Sequence, residues 1–360
     1  MIRFALRQFR TEAIVTFVVL AAVAILLAIT GAHLAQVNNT FLSTCKATGD
    51  CATATNPVVN LDKQLQTTLP LIVVIAPALI GLFFGAPLIA RELETGTFRL
   101  AWTQSVTQKR WLVAKCGLVG VAAMAIGGLL TWMANWWASP FEAVNQNRFD
   151  LANFGFNGVA AIGYAAFAFA LGATAGVFFR RTVAGMAVTI VGFVAARLAV
   201  TFWVRPHLWS PVQGPVPRAD ASGLVGLQVS GGGAVSAVAP LVNVPNAWVY
   251  SATVVNQSGH APTSAFLARA CPALVQVTRN GTSTVRSGLG GSVTHVAIPA
   301  SANSAVQSCM RKLSGVLHTV ITYQPGSRFW PFQLAEMGIF LAAALALCAL
   351  TSWWLHRQYA

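Results

Sequence analysis

The sequence predicts an all-α polytopic membrane protein: six transmembrane helices, with a small mixed α/β extracytoplasmic domain between the fifth and sixth. Three observations predict it. Of 360 residues, 56% are hydrophobic and 9% are charged, where a soluble domain carries about 25% charged residues. Mean hydropathy is +0.64. Six apolar windows reach the roughly 20 residues that a helix needs to cross the hydrocarbon core. The net charge of +14 does not imply nucleic acid, because membrane proteins collect basic residues on cytoplasmic loops for topological reasons.

Residues 1–12, MIRFALRQFRTE, come first. On a helix, Arg3, Arg7 and Arg10 share one stripe and Ile2, Ala5, Leu6 and Phe9 another, which predicts a short amphipathic helix in the membrane interface. Residues 13–204 hold the first five spans, at 13–32, 69–90, 116–137, 155–179 and 182–204. The first window runs too long for a signal-peptide core, and no small-residue cleavage site follows it, so it reads as a retained span. Residues 205–329 are rich in Gly, Ser, Thr, Val and Pro. There WVYSATVV, LVQVTR and SVTHVAI alternate as strands do, and AFLARACPAL and SANSAVQSCMRKLSGV read as short helices. Residues 330–360 supply the sixth span, at 330–355, and a short tail.

Basic residues orient the bundle. With the N-terminus inside, inner segments carry eleven Lys and Arg, and the two short outer loops carry three. This is the positive-inside pattern, and long translocated domains are exempt from the count. It predicts a multi-pass protein with both termini cytoplasmic. The cysteines agree with that topology. Cys45 and Cys51 share the first outer loop, and Cys271 and Cys309 share the outer domain, which predicts two disulfides in an oxidising compartment. Cys116 and Cys348 lie in spans.

Two charges fall inside spans, Arg197 and Glu336. Arg197 precedes Arg205 by eight residues, and Glu336 follows Arg328 by eight. Both therefore sit about 12 Å below the outer surface on helices running in opposite directions. Charges at that depth need partners inside the bundle, which predicts that Arg197 and Glu336 form an intramembrane ion pair or share one polar cluster.

The stretch RELETGTFRLAWTQSVTQKRWLVAK, residues 91–115, links the second and third spans with far more chain than a turn requires; Arg180-Arg181 suffices between the fourth and fifth. Gly96 interrupts the helix continuing from the second span. Thr97 caps a short helix, and Thr107 caps the next, which carries Lys109, Arg110 and Lys115 into the third span. Apolar anchors within a charged rim suit docking onto another protein, and the same residues suit contact with lipid headgroups. The chemistry alone leaves both open.

This stretch resembles the cytoplasmic loop of ABC type-2 transporter permeases, especially actinobacterial ones, with the pattern R-E-x-E-x-G-T, then a coupling helix, then a basic segment. Arg91, Glu92, Glu94, Gly96 and Thr97 match it position by position. YQPGSRFWPFQLAE, residues 323–336, is similar to the start of the last span in such permeases. The resemblance does not extend through 205–320. It implies a membrane-spanning permease subunit of an ATP-binding cassette exporter in a bacterial plasma membrane. That subunit pairs as a homodimer, sits among membrane lipid, and moves a lipophilic or amphipathic substrate outward. Two copies of a cytoplasmic ATP-binding subunit would bind the loop, with Arg91, Glu92, Glu94, Gly96, Thr97, Arg99 and Trp102 coupling ATP hydrolysis to the spans.

An ATPase site within this chain is excluded. A phosphate-binding loop needs Gly-Lys followed by Ser or Thr, and no Gly-Lys occurs. The six histidines are scattered without metal-ligand spacing, and no catalytic constellation is present, so the expectation is a non-enzyme with neither cofactor nor metal. The competing reading is a membrane carrier not driven by ATP, or a sensor or assembly protein with an outer domain. A carrier would show midplane charges and repeated halves, and the spans show no repeat.

Overall fold

The computed structural model describes residues 10–48, 63–95, 108–142, 148–149, 151–215, 226–229, 235–239, 246–270, 272, 283–288, 291–296, 308, 313 and 316–359. The chain divides into two compact units, Met1–Trp209 with Ser327–Ala360, and Ser210–Gly326.

The first unit is helical: α1 (Arg10–Thr48), α2 (Lys63–Ile80), α3 (Ala86–Thr95), α4 (Gln108–Glu142), α5 (Leu151–Phe156), α6 (Ala160–Phe179), α7 (Thr182–Ala199) and α9 (Phe329–Tyr359). Six stretches are long and apolar enough to cross a membrane: Ile14–Thr44, Thr68–Thr95, Val113–Ser139, Ala160–Phe179, Thr182–His207 and Gly326–Arg357. The six-span expectation therefore holds. Several helices outrun their apolar windows, because hydropathy reports only the part of a helix that needs lipid. At 39 residues, α1 is about 58 Å long. Its polar end stays helical while Thr40 and Thr44 donate back to the carbonyls of Gln36 and Thr40, at 2.9 and 2.8 Å. Residues 1–9 of the expected interfacial helix lie outside the described residues.

The helix α6 is the hub. It packs against α2, α3, α4, α7 and α9, and 15 of its 20 residues are buried. Its sequence, AAIGYAAFAFALGATAGVFF, supplies small residues on every side, which lets neighbouring backbones approach closely. Between α2 and α3 a π turn, Gly81–Gly85, inserts one extra residue, and the Ala86 N–H donates to the Gly81 carbonyl five residues back. Pro87 follows immediately and cannot donate to the carbonyl of Phe83, so the widened turn relieves the expected clash. A Cβ added at Gly81 would meet the Ala168 carbonyl at 2.5 Å, and one at Gly85 the Phe169 carbonyl at 2.6 Å. The turn thus lies directly on the α6 backbone.

The fourth span begins at Ala160 and not, as the apolar window suggested, at 155. The helix breaks at Gly158, whose φ of +121° is open to glycine. The buried Gln333 side chain joins the two pieces. Its Nε2 donates to the carbonyls of Phe154 (2.7 Å) and Asn157 (2.8 Å), and its Oε1 accepts the Ala160 N–H (2.9 Å). A break inside a bundle survives because a side chain satisfies the freed backbone groups.

The second unit contains β1 (Val212–Pro215), β2 (Gly226–Val229), β3 (Val235–Ala239), β4 (Trp248–Asn256), α8 (Ser264–Ala270), β5 (Ser283–Gly288), β6 (Gly291–Val296) and β7 (Leu317–Gln324). An antiparallel sheet has the order β1-β7-β4, and two hairpins pair β2 with β3 and β5 with β6. The small mixed α/β unit between the fifth and sixth spans is therefore present. WVYSATVV lies in β4, SVTHVAI begins in β6 and AFLARACPAL overlaps α8. LVQVTR, and SANSAVQSCMRKLSGV apart from 308, 313 and 316, lie outside the described residues. The central strand β7 escaped the sequence reading. It buries Leu317, Ile321 and Gln324, a spacing that is not strict alternation.

Candidate functional site

The conspicuous charges gather at two places in the helical unit. The first is the base of the 91–115 loop. Glu92, on α3, is buried and faces Lys115 on α4, whose ammonium donates to the carboxylate. Glu94, two residues on, turns to α7 and accepts from the Thr182 N–H at 2.8 Å and the Thr182 hydroxyl at 2.7 Å. That helix starts at Thr182 without a side-chain cap of its own. A carboxylate there satisfies orphan N–H groups and faces the positive end of the helix dipole. The two acids thus tie α3 to α4 and to α7. Arg91 is exposed and borders an apolar cavity. Gly96, Thr97, Arg99 and Trp102 lie outside the described residues. The next helix starts at Gln108, one residue beyond Thr107.

The second place is a buried cluster on α6, α7 with its C-terminal extension, and α9. Glu336 has no solvent exposure. Arg205 approaches it bidentately, with Nε 2.9 Å from Oε2 and Nη2 3.0 Å from Oε1. The Tyr164 hydroxyl donates to Oε1 at 2.5 Å. Arg197 Nη1 stands 3.8 Å from the same oxygen, and its guanidinium lies 3.6 Å above the Tyr164 ring. The Arg205 guanidinium lies 3.8 Å from the centre of the Phe154 ring. Arg197 and Glu336 thus face each other from α7 and α9, while the tighter partner of the carboxylate is Arg205.

Sequence reasoning placed Arg205 at the membrane surface, and a second π turn explains the difference. In a regular α-helix, residues eight apart are rotated by about 80°. The π turn Val200–Val204, closed by the Arg205 N–H donating to the Val200 carbonyl, inserts one residue. Eight residues then complete about two turns, and both arginines face Glu336. Tyr164, Gln333, Lys115 and Thr182 also went unnoticed as partners, although Tyr164 and Gln333 carry the one available signal, a polar side chain within an apolar helix.

Cys51, Cys271, Cys309 and the side chain of Cys45 lie outside the described residues, so the expected disulfides do too. Among the described residues Cys116 and Cys348 are free thiols, and no group of three or more His, Cys, Asp and Glu stands ready for a metal.

Six helices long and apolar enough to cross a membrane, with charges buried against one another between them, define a polytopic membrane protein. The profile of the family described as ABC-2 membrane transporter related matches residues 17–205, more than half of the chain and including the whole 91–115 loop. The chain belongs to that family, and so to the ABC-2 type permeases. Neither the curated proteins nor the solved structures contain a match.

Proposed function

We propose that this chain is the membrane-spanning subunit of an ATP-driven exporter and moves a lipophilic or amphipathic substrate outward. Two copies would bind two separate ATP-binding subunits in a bacterial plasma membrane. The positive-inside pattern supports an orientation with both termini and the 91–115 loop cytoplasmic.

The observation that carries the reading is the tether at the loop base. A force applied to residues 96–107 reaches α3 and α4 at the two ends of that segment. Glu92–Lys115 joins those two helices to each other, and Glu94–Thr182 passes the force to α7. Glu92 and Glu94 are accordingly transmission residues engaged within the chain, and Arg99 and Trp102 are the residues that grip the partner. At the other end of α7, the Arg197–Arg205–Glu336 cluster links α7 to α9 and holds the outer half of the bundle together.

A photo-crosslinking amino acid tests the grip. Placed at Trp102, it captures the proposed ATP-binding subunit; placed at Phe83, on the exposed side of the π turn, it does not. Equal capture at both positions, or capture at neither, contradicts the assignment.

A further inference from the structure

Arg197 is a charge that the buried cluster does not use up. Two guanidiniums face one carboxylate there, which leaves one positive charge over. Glu336 is already satisfied without Arg197. Its Oε1, the oxygen 3.8 Å from Arg197, accepts from the Tyr164 hydroxyl and from Arg205 Nη2, and its Oε2 accepts from Arg205 Nε. Two donors fill the lone pairs of Oε1, so Arg197 is held near the carboxylate without a hydrogen bond to it. Its Nη1 is buried and has no hydrogen-bond partner. Glu92 and Glu94 are engaged far off, at the base of the 91–115 loop. The start of α6 adds to the surplus. Tyr164 stands one turn into that helix, whose first turn carries no acidic residue, and a helix start bears about half a positive charge.

Placement and depth narrow what could answer that charge. The Tyr164 ring covers one face of the guanidinium at 3.6 Å, and α5 passes so close that a Cβ on Gly155 would collide with Nη2. A guanidinium fixed in this way meets an oxyanion through paired hydrogen bonds at little cost in ordering. It is not sealed in. Of its side chain 13% remains exposed, and Val194 and Leu198 beside it on α7 are exposed too, so Arg197 stands at the edge of the bundle. His207, ten residues on, ends its span on the side away from the 91–115 loop, and ten residues are about 15 Å of helix. A resident lipid keeps its charged group at the interface and not at that depth. A charged side chain within the hydrocarbon region marks a path for substrates or ions, and a surplus cation selects an anion.

We propose that Arg197 holds the headgroup of an anionic amphiphile, a carboxylate or phosphate-type oxyanion on an apolar chain, during its passage along the bundle. This names the substrate class of the exporter proposed above and rests on that reading.

The full-length chain is reconstituted in phosphatidylcholine liposomes without ATP and without an ATP-binding subunit. Dodecanoate carrying a diazirine near its ionised carboxyl group is compared with the matching dodecanol. Adducts are mapped by mass spectrometry and normalised to those on exposed Val183 of the same helix. The carboxylate labels Tyr164, Val194 and Leu198 at least about tenfold more than the alcohol, the size of one charge-assisted contact. Arg197→Met lowers it to the alcohol level. Arg197→Lys keeps a preference for the carboxylate, which separates lost charge from lost fold. Arg181→Gln, an exposed cation at the start of α7, leaves the preference unchanged. Acetate or inorganic phosphate at the same concentration does not compete, because neither carries a chain. Competition by either assigns the site to a free anion and overturns the amphiphile. Equal labelling by acid and alcohol overturns the proposal, as does a wild-type pattern in Arg197→Met. Neither result touches the exporter reading, which fails separately if this chain leaves ATP hydrolysis by its proposed partner unchanged.

Discussion

Glu336 is a carboxylate with no solvent exposure that accepts from Arg205 and Tyr164 and faces Arg197 across 3.8 Å. Removing one partner of a buried ion pair leaves an uncompensated charge and costs about 3–5 kcal/mol. Glu336→Gln strands two guanidiniums and should lie at the upper end of that range. Arg205→Met should cost more than Arg197→Met, because Arg197 Nη1 has no hydrogen-bond partner among the described residues. Thermal unfolding in detergent micelles ranks the three. A charge swap locates the main pair. Arg205→Glu with Glu336→Arg should recover more stability than Arg197→Glu with Glu336→Arg, since the latter sets the introduced guanidinium against an unchanged Arg205. Equal recovery would place the principal partner at Arg197. The Glu92–Lys115 pair obeys the same rule with a different remedy: Lys115→Met alone should destabilise, and Glu92→Leu with Lys115→Met should restore stability to near the starting value.

The π turns govern which side chains meet. Deleting one residue within Val200–Val204 returns α7 to regular winding and rotates Arg205 by about 100°, so the deletion should match Arg205→Met in thermal stability. A deletion with wild-type stability would mean that the turn does not set the register. The break between α5 and α6 makes a second demand. Gly158→Ala places a Cβ 2.6 Å from the Gln333 amide carbon at a φ of +121°, and such strain costs about 1–3 kcal/mol. These features mark where the sequence stopped being legible. Spans announce themselves through composition, so all six were readable, as were β4 and α8 through alternation and amphipathic spacing. A π turn has no compositional signature. Arg205 therefore looked like a surface marker when it is the closest charged partner of Glu336, and the fourth span looked continuous because Gly158 is one glycine among many. Arg197 and Glu336 stood out because a charge in lipid needs a reason. The inward turn of Glu92 and Glu94 could not be read, since a helix end bears the same residues whether they point at a partner or at a neighbouring helix.

At the scale of the molecule, a packed hub helix, α6, carries neighbours tied at both ends by polar contacts: α3, α4 and α7 by Glu92 and Glu94, and α7 and α9 by Glu336. Under the proposed coupling, such an arrangement would turn movement of one loop into movement of several helices, because packed interfaces switch between discrete arrangements and do not deform smoothly. It suits a membrane subunit with the chemistry on another chain, in agreement with membership of the ABC-2 related family. The most direct measurement is ATP hydrolysis by this chain in complex with its proposed ATP-binding subunit, reconstituted in liposomes. It compares the wild-type chain, Arg99→Glu with Trp102→Ala, and Glu94→Ala. The account predicts that the wild-type chain changes the hydrolysis rate of the ATP-binding subunit. The loop double variant should abolish that change and lose the partner on purification. Glu94→Ala should keep the partner and weaken the change. Hydrolysis indifferent to the presence of this chain, or indifferent to the loop variant while the complex stays intact, would contradict it.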